Sequence, residues 1–166
     1  VGEEIEIRPG VKTSEGGKEK YAPIFTKVTS LSAGKQIRLN EAKPGGLIGV
    51  GTLLDPSLTK ADGLVGSVLG RPRTLPPVWD QITIHFTLLE RAVGTVGQEL
   101  VTAMRTNELL MLNVGTTTTA GLVTSARSDV ADMKLNRPIC ADNGSRVAIS
   151  RRISGRWRLI GWGKIG

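Results

Sequence analysis

Residues able to do chemistry are few in this chain, and most dissolve on inspection. Thr59-Lys60-Ala61-Asp62 mimics the T/N-K-x-D tetrapeptide that reads guanine, in which the aspartate accepts hydrogen bonds from the base. The sequence has no Gly-x-x-x-x-Gly-Lys-Ser/Thr loop to cradle phosphates. The tetrapeptide therefore reads as a surface turn, and nucleotide hydrolysis is excluded for this chain. His85 is the sole histidine and falls on the polar side of an alternating stretch, where a solvated side chain is expected rather than a general base. No motif sets a base beside a serine, and the acids are scattered through turns. Cys140 stands alone, so there is neither an intrachain disulfide nor a thiolate metal cage, and metal-ligand spacing is absent. No catalytic, cofactor or metal residue is assigned.

Two stretches remain. From Arg146 to Lys164 there are six cations (Arg146, Arg151, Arg152, Arg156, Arg158, Lys164) and no acid. Trp157 and Trp162 are interleaved with them, as in surfaces that stack bases between cations. A uniform strand register puts Trp157, Leu159 and Gly161 on one face and Arg156, Arg158 and Ile160 on the other. With only 4% aromatic residues, the chain is expected to keep its tryptophans in the core or a domain interface. That leaves Arg151, Arg152 and Arg156 as candidate contacts for RNA phosphates or an acidic protein partner. The second stretch, Lys43 to Gly70, is glycine-rich and free of aromatic residues. Gly49 and Gly51 alternate with Val50 and Thr52, which suits a strand that something approaches closely at its backbone.

The elements that must position these residues are strands. At 166 residues the chain suits one large or two small domains. Val1–Arg8 alternates with Ile5 and Ile7 inward, Pro9-Gly10 ends it, and Val11–Lys20 reads as a mobile polar hairpin tip. Tyr21–Leu31 resumes strand character with Ile24, Thr26 and Val28 on one face, and Leu64–Gly70 is read as a further strand. Trp79–Leu89 alternates cleanly, with Ile82, Ile84 and Phe86 inward. Val96–Met104 has the composition of a short helix. Leu109–Val114 and Ala120–Ser125 flank a Gly-Thr-Thr-Thr-Thr turn. Val130–Leu135, Arg137–Ala141, Arg146–Arg152 and Trp157–Ile165 complete the set. Short strands at regular spacing, without an amphipathic helix, indicate an all-β chain. A formal net charge of +7 and a pI near 10.0 favour polyanionic partners. No apolar run approaches the roughly 20 residues that span a bilayer, no signal peptide is visible, and one cysteine fits a reducing compartment. A start at Val1 rather than methionine points to a fragment.

KPGGLIGVGTLLDPSLTKADGLVGSVLG resembles the second-domain signature of the gamma subunit of archaeal and eukaryotic translation initiation factor 2. The likeness continues through TIHFTLLERAVG and LMLNVGTTTTAGLVTS to ISRRISGRWRLIGWGKIG, which are typical of that subunit's third domain. VGEEIEI has a more distant similarity to elongation factor Tu.

The resemblance implies two consecutive β-barrels of the elongation-factor domain II and domain III types: residues 1–70, a linker at 71–77, and residues 78–166. The first barrel is expected to lack its initial strands, and segment 91–107 to be a variable insertion within a hairpin. It also implies that GTP and magnesium belong to a GTPase domain absent from this sequence, and that the fragment itself is no enzyme. The partners implied are methionylated initiator tRNA, the small ribosomal subunit, and the alpha and beta subunits of the factor, in the cytoplasm. By the same resemblance, Gly46, Leu47, Ile48, Gly49, Val50 and Gly51 are candidates for holding the tRNA acceptor end. The polar loop from Val11 to Pro23, with Lys12, Lys18, Lys20 and Tyr21, is the candidate dock for the alpha subunit. Two other functions share such barrels: a protein-interaction scaffold without RNA contact, and an elongation-factor-like tRNA delivery protein such as the selenocysteine-specific factor.

Overall fold

Alternating apolar and polar residues build every long element of this chain. A computed structural model describes all residues except Gly17, Lys35, Gln36, Val96 and Gln98, and omits the side chains of Glu15, Lys18 and Glu19. The chain divides into two units, Val1–Leu75 and Pro76–Gly166. The fold is all-β: one open, curled sheet and one closed barrel.

The first unit holds β1 (Glu4–Glu15), β2 (Lys18–Ala33), β3 (Ile37–Leu39), β4 (Ile48–Thr52) and β5 (Val68–Gly70). The path is β3-β2-β1-β5, with β4 also pairing β2. Ile5, Ile7, Ile24 and Val28 are buried on the alternating side expected of them.

Pro9-Gly10 does not end the first strand, and Val11–Glu15 and Lys18–Lys20 are paired strand rather than loop. Antiparallel pairing runs from Glu4↔Lys27 to Ile7↔Ile24, slips, and resumes from Val11↔Ala22 to Glu15↔Lys18. The interruption is a bulge at Gly10, whose φ of +91° and missing Cβ let the chain press against the Ala22 carbonyl oxygen. Leu64–Gly70 is likewise shorter as a strand than its apolar content suggests. Backbone turns from Asp62 to Val65 and from Leu64 to Ser67 leave only Val68–Gly70 to pair with β1.

Arg71–Leu75, read from sequence as linker, is fastened to β1. Glu6, buried at 1% exposure, accepts a hydrogen bond from the Arg73 N–H at 2.8 Å and one from Arg8 Nε at 2.6 Å. Arg8 Nη1 donates to the Leu75 carbonyl at 3.1 Å. The Arg73 N–H first, and the Arg8 guanidinium second, hold the Glu6 carboxyl below its ordinary pKa.

The second unit holds β6 (Val78–Leu88), β7 (Leu109–Val114), β8 (Thr117–Arg127), β9 (Val130–Cys140), β10 (Arg146–Ile153) and β11 (Arg156–Ile165). They close as β10-β11-β6-β9-β8-β7, with β7 pairing back onto β10, so no strand edge is left open. Ile82, Ile84, Phe86, Leu110, Leu112, Val123, Met133, Val147, Ile149 and Ile160 fill the interior.

The four-threonine turn contracts to Gly115-Thr116, because Thr117 and Thr119 turn inward and are buried. Residues 130–141 do not break into two strands at Pro138. Instead, the Thr119 hydroxyl oxygen accepts from the Arg137 N–H at 3.0 Å and donates to the Arg137 carbonyl at 2.9 Å. This side chain takes over where the register between β6 and β9 slips. Segment 91–107 contains no helix among its described residues. It is a narrow excursion tied by Arg91↔Leu100, by Ala92 N–H to Glu99 and by Val101 N–H to Glu90. No helix of the described residues is long and apolar enough to cross a membrane.

Candidate nucleic-acid interface

The glycine strand is positioned by two left-handed turns and a close strand approach. Gly45 and Gly46, at φ of +117° and +72°, swing the chain into Leu47, which is 90% exposed. β4 then lies against β2 in the register Ala33↔Ile48, Ser32↔Gly49, Leu31↔Val50, Ser30↔Gly51. Ile48 packs on the small cluster of Ile5, Val28 and Leu31. On the opposite face, Gly49 and Gly51 sit beside Ser32 and Ser30. A Cβ at Gly49 would stand 2.6 Å from the Ser32 hydroxyl, and one at Gly51 would collide with the Ser30 hydroxyl. Arg38, opposite Ser32 on β3, borders this patch. The result is a strip of sheet with almost no side chains, a cation at its rim and an exposed leucine at its entry. The Ser32 and Ser30 hydroxyls occupy the space that side chains at Gly49 and Gly51 would take.

The three arginine candidates separate. Arg151 is held inside the second unit: its Nε and Nη2 form a bidentate pair with Glu108, the latter at 3.1 Å. Its Nη1 donates to the Thr102 carbonyl at 2.9 Å and its Nη2 to the Ala103 carbonyl at 3.3 Å. Side-chain exposures are 15% and 19% for Arg151 and Glu108, so this arginine clamps the end of segment 91–107 onto the barrel. Arg152 and Arg156 are exposed. Neither engages an acid among the described residues.

The tryptophans overturn expectation. Trp157 is 39% exposed and Trp162 48% exposed, whereas Ile160 is fully buried. The register between β10 and β11 slips after Ile149, so that Ile149 faces Gly161 while Ser150 faces Leu159. Ile160 is the extra residue of this bulge, and it turns Trp162 outward. Only Trp79 packs on the core, its indole N–H donating to the Ala141 carbonyl at 2.8 Å.

The polar-loop candidates lie on the paired arms of β1 and β2 rather than on a loop. Lys12 faces Tyr21 and Thr13 faces Lys20, so Lys12 and Tyr21 share one face and Lys20 occupies the other. The side chain of Lys18 lies outside the described residues.

Thr59–Asp62 belongs to an exposed 3₁₀ segment, Pro56–Asp62, broken at Lys60-Ala61. The Thr59 hydroxyl donates to the Pro56 carbonyl at 3.0 Å, and the Asp55 carboxylate accepts from the Ser57 N–H at 2.8 Å. That bond keeps the Asp55 pKa below its usual value. His85 is exposed, opposite Lys164. Among the described residues, no group of three His, Cys, Asp or Glu side chains is arranged to hold a metal ion.

Two nodes escaped the sequence. Alternation put Glu6 on the wet side of its strand, and nothing paired Glu108 with Arg151. The one available signal was Arg8, two positions from Glu6 and on the same face of a strand.

Comparison with known proteins settles the family. The family described as "Initiation factor eIF2 gamma, C terminal" matches residues 80–165, more than half of the chain. The chain belongs to that family. It is 61% identical over 165 residues to the translation initiation factor 2 subunit gamma of Methanocaldococcus jannaschii, a match covering 99% of this chain and 40% of the relative. The corresponding subunits of Methanococcus vannielii and Thermococcus kodakarensis are 58% and 55% identical, with the same coverage. The chain thus spans about 40% of the length of these eIF2 gamma relatives. The matched residues 80–165 are those of the closed barrel.

Proposed function

We propose that this chain is the two-barrel portion of an initiation factor 2 gamma subunit that holds the acceptor end of methionylated initiator tRNA and docks partner subunits. Identity of 55–61% across essentially the whole chain to proteins named as that subunit carries the reading. In it, Gly46–Gly51 takes the terminal nucleotide against bare backbone, and the exposed cations of the second unit meet phosphates. GTP and magnesium are held by the GTPase domain of the family, and these residues catalyse nothing. The alpha subunit docks on the β1–β2 arms around Lys12, Lys20 and Tyr21, and the beta subunit on the GTPase domain. The assembled factor delivers the tRNA to the small ribosomal subunit in the cytoplasm. The test is filter binding of methionylated initiator tRNA across a salt series. The isolated chain binds weakly and with a steep salt dependence, because phosphate contacts dominate what it retains. Nanomolar, salt-insensitive affinity contradicts the reading.

A scaffold reading without RNA contact is favoured by one observation: Leu47, Leu53 and Phe25 of the first unit are 90%, 71% and 60% exposed. Replacing Leu47 and Leu53 by serine separates the two. Lost alpha-subunit pull-down with intact tRNA binding assigns that surface to protein docking.

A further inference from the structure

The outer face of the β10–β11 hairpin forms a continuous ladder. Its cross-strand pairs are Arg152↔Trp157, Ser150↔Leu159, Ala148↔Trp162 and Arg146↔Lys164. The slip at Ile160 keeps all four pairs on the outside, because Val147, Ile149, Ile160, Gly163 and Ile165 are buried between them. Arg156 pairs with Ile153 on the other face of the hairpin, where Ile153 packs on the core. Directly beside the ladder, β6 offers His85 and Thr87 next to Lys164 and Trp162, and β7 offers Asn113 and Met111; the exposed acid nearest in the backbone pairing is Glu90, in the segment whose Leu89 and Val93 N–H groups bond Ile160 and Leu159. Arg146, Arg152, Arg156 and Lys164 form no ion pair among the described residues. The residues across from Trp162 on both sides, Ala148 and Thr87, are too small to cover an indole.

Two exposed indoles spaced roughly 15 Å apart along a strand, at ~3.3 Å per residue, are thus flanked at both ends by cations that form no ion pair among the described residues. An apolar protein partner would leave those charges desolvated and unpaired. An unpaired polyanion with planar bases satisfies both components together: phosphates meet the cations and bases lie on the rings.

We infer that this face of the closed barrel binds single-stranded RNA, with Trp157 and Trp162 as stacking platforms and Arg146, Arg152 and Lys164 as phosphate contacts. The inference rests on the reading that exposed cations of the second unit meet phosphates, and deepens it; Gly49→Val tests the acceptor-end site, in the other unit, so the two can fail separately.

The experiment is fluorescence anisotropy of a labelled twelve-nucleotide oligouridine, titrated with the 166-residue chain across a salt series. The wild-type slope of log affinity against log salt is about −2, from three phosphates at ~0.7 each on a single strand. Trp162→Ala and Trp157→Ala each weaken binding by about 5- to 100-fold and leave the slope unchanged. Arg146→Gln with Lys164→Gln reduces the slope by about 1.4. Trp162→Phe retains most of the affinity and guards against a folding artefact, with Trp79 fluorescence reporting the fold. Unchanged affinity in both alanine variants overturns the inference. So does a duplex RNA of equal length that binds as tightly as the single strand, or polyglutamate that competes as well as RNA.

Discussion

Arg151 is where two accounts of the basic run part company, and substituting it decides between them. As an RNA contact, Arg151→Ala weakens binding and leaves the fold alone. As a clamp it does the reverse. The structure favours the clamp: five polar contacts, two to Glu108, two to Thr102 and one to Ala103, at side-chain exposures of 15% and 19%. Breaking a fully buried ion pair costs about 3–5 kcal/mol, whereas exposed pairs are worth ~0–1 kcal/mol. With water still reaching one side of the guanidinium, the loss on Arg151→Ala is about 2–3 kcal/mol. In a unit of this size each kcal/mol moves the midpoint by ~4–8 °C, so Tm of the closed barrel falls by roughly 10–20 °C. Arg151→Lys keeps the charge without the fork and loses about half as much. The assay is thermal unfolding followed by tryptophan fluorescence, since Trp79, Trp157 and Trp162 all lie in the second unit. A double-mutant cycle with Glu108→Ala should return a coupling of at least ~1 kcal/mol. If Arg151→Ala shifts stability by less than about 0.5 kcal/mol while weakening RNA binding, the clamp assignment is refuted and Arg151 returns to the RNA-contact candidates.

Three further outcomes follow from the same geometry. Gly49→Val combined with Ser32→Ala, which removes the hydroxyl that a Cβ would strike, should lower initiator-tRNA affinity at least about tenfold, or ~1.4 kcal/mol, with an unaltered melt. Unaffected tRNA binding means that the glycine serves only the close strand approach. Gly161→Ala places a Cβ 2.5 Å from the Thr87 carbonyl oxygen, an immovable backbone atom, and should destabilise the barrel by about 1–3 kcal/mol in urea unfolding. Glu6 has a folded-state pKa below its unfolded value of about 4.5, so its contribution is present above that value and lost as pH falls through the folded pKa. Hydrogen-exchange protection factors, corrected for the intrinsic pH dependence of exchange, should therefore fall at Glu4–Ile7 and Val68–Gly70 on acidification below about pH 4.5. A Glu6→Gln variant with the same acid sensitivity refutes this.

Much of the strand content was legible because alternation is local. Ile82, Ile84 and Phe86 point inward as the pattern required, and so do Ile5, Ile7, Ile24 and Val28. What was not legible depends on irregularities and on distant partners. The uniform register expected for β11 puts Trp162 on the side of Ile160, and Ile160 is fully buried. One extra residue at Ile160 reverses that, and no residue type there announces a bulge. The argument that scarce aromatics belong inside failed for a related reason. A six-stranded barrel has a narrow interior, which here is filled by Ile, Leu, Val, Met and one Phe, so indoles gain nothing by turning in. Glu6 is buried only because Arg71–Leu75 folds back on β1 from far along the sequence. Pro9-Gly10 and Pro138 looked like strand ends but proved to be register slips, each patched locally by a glycine or a threonine hydroxyl.

The candidate surfaces solve one physical problem in opposite ways. A nucleotide is flat, and a strand with ordinary side chains holds it away from the backbone. On β4 the obstacle is reduced: Gly49 and Gly51 carry no side chain and only the small hydroxyls of Ser32 and Ser30 stand over them, so recognition there would come from hydroxyls and main-chain groups. On β11 the obstacle is replaced by rings, and recognition there must come from stacking and charge. The first mode demands one fixed geometry and suits a single chemically defined end. The second tolerates any base and is tuned by salt. If both surfaces act in one factor, substitutions on β4 should change which RNA end is held, and those on β11 how strongly RNA of any sequence adheres.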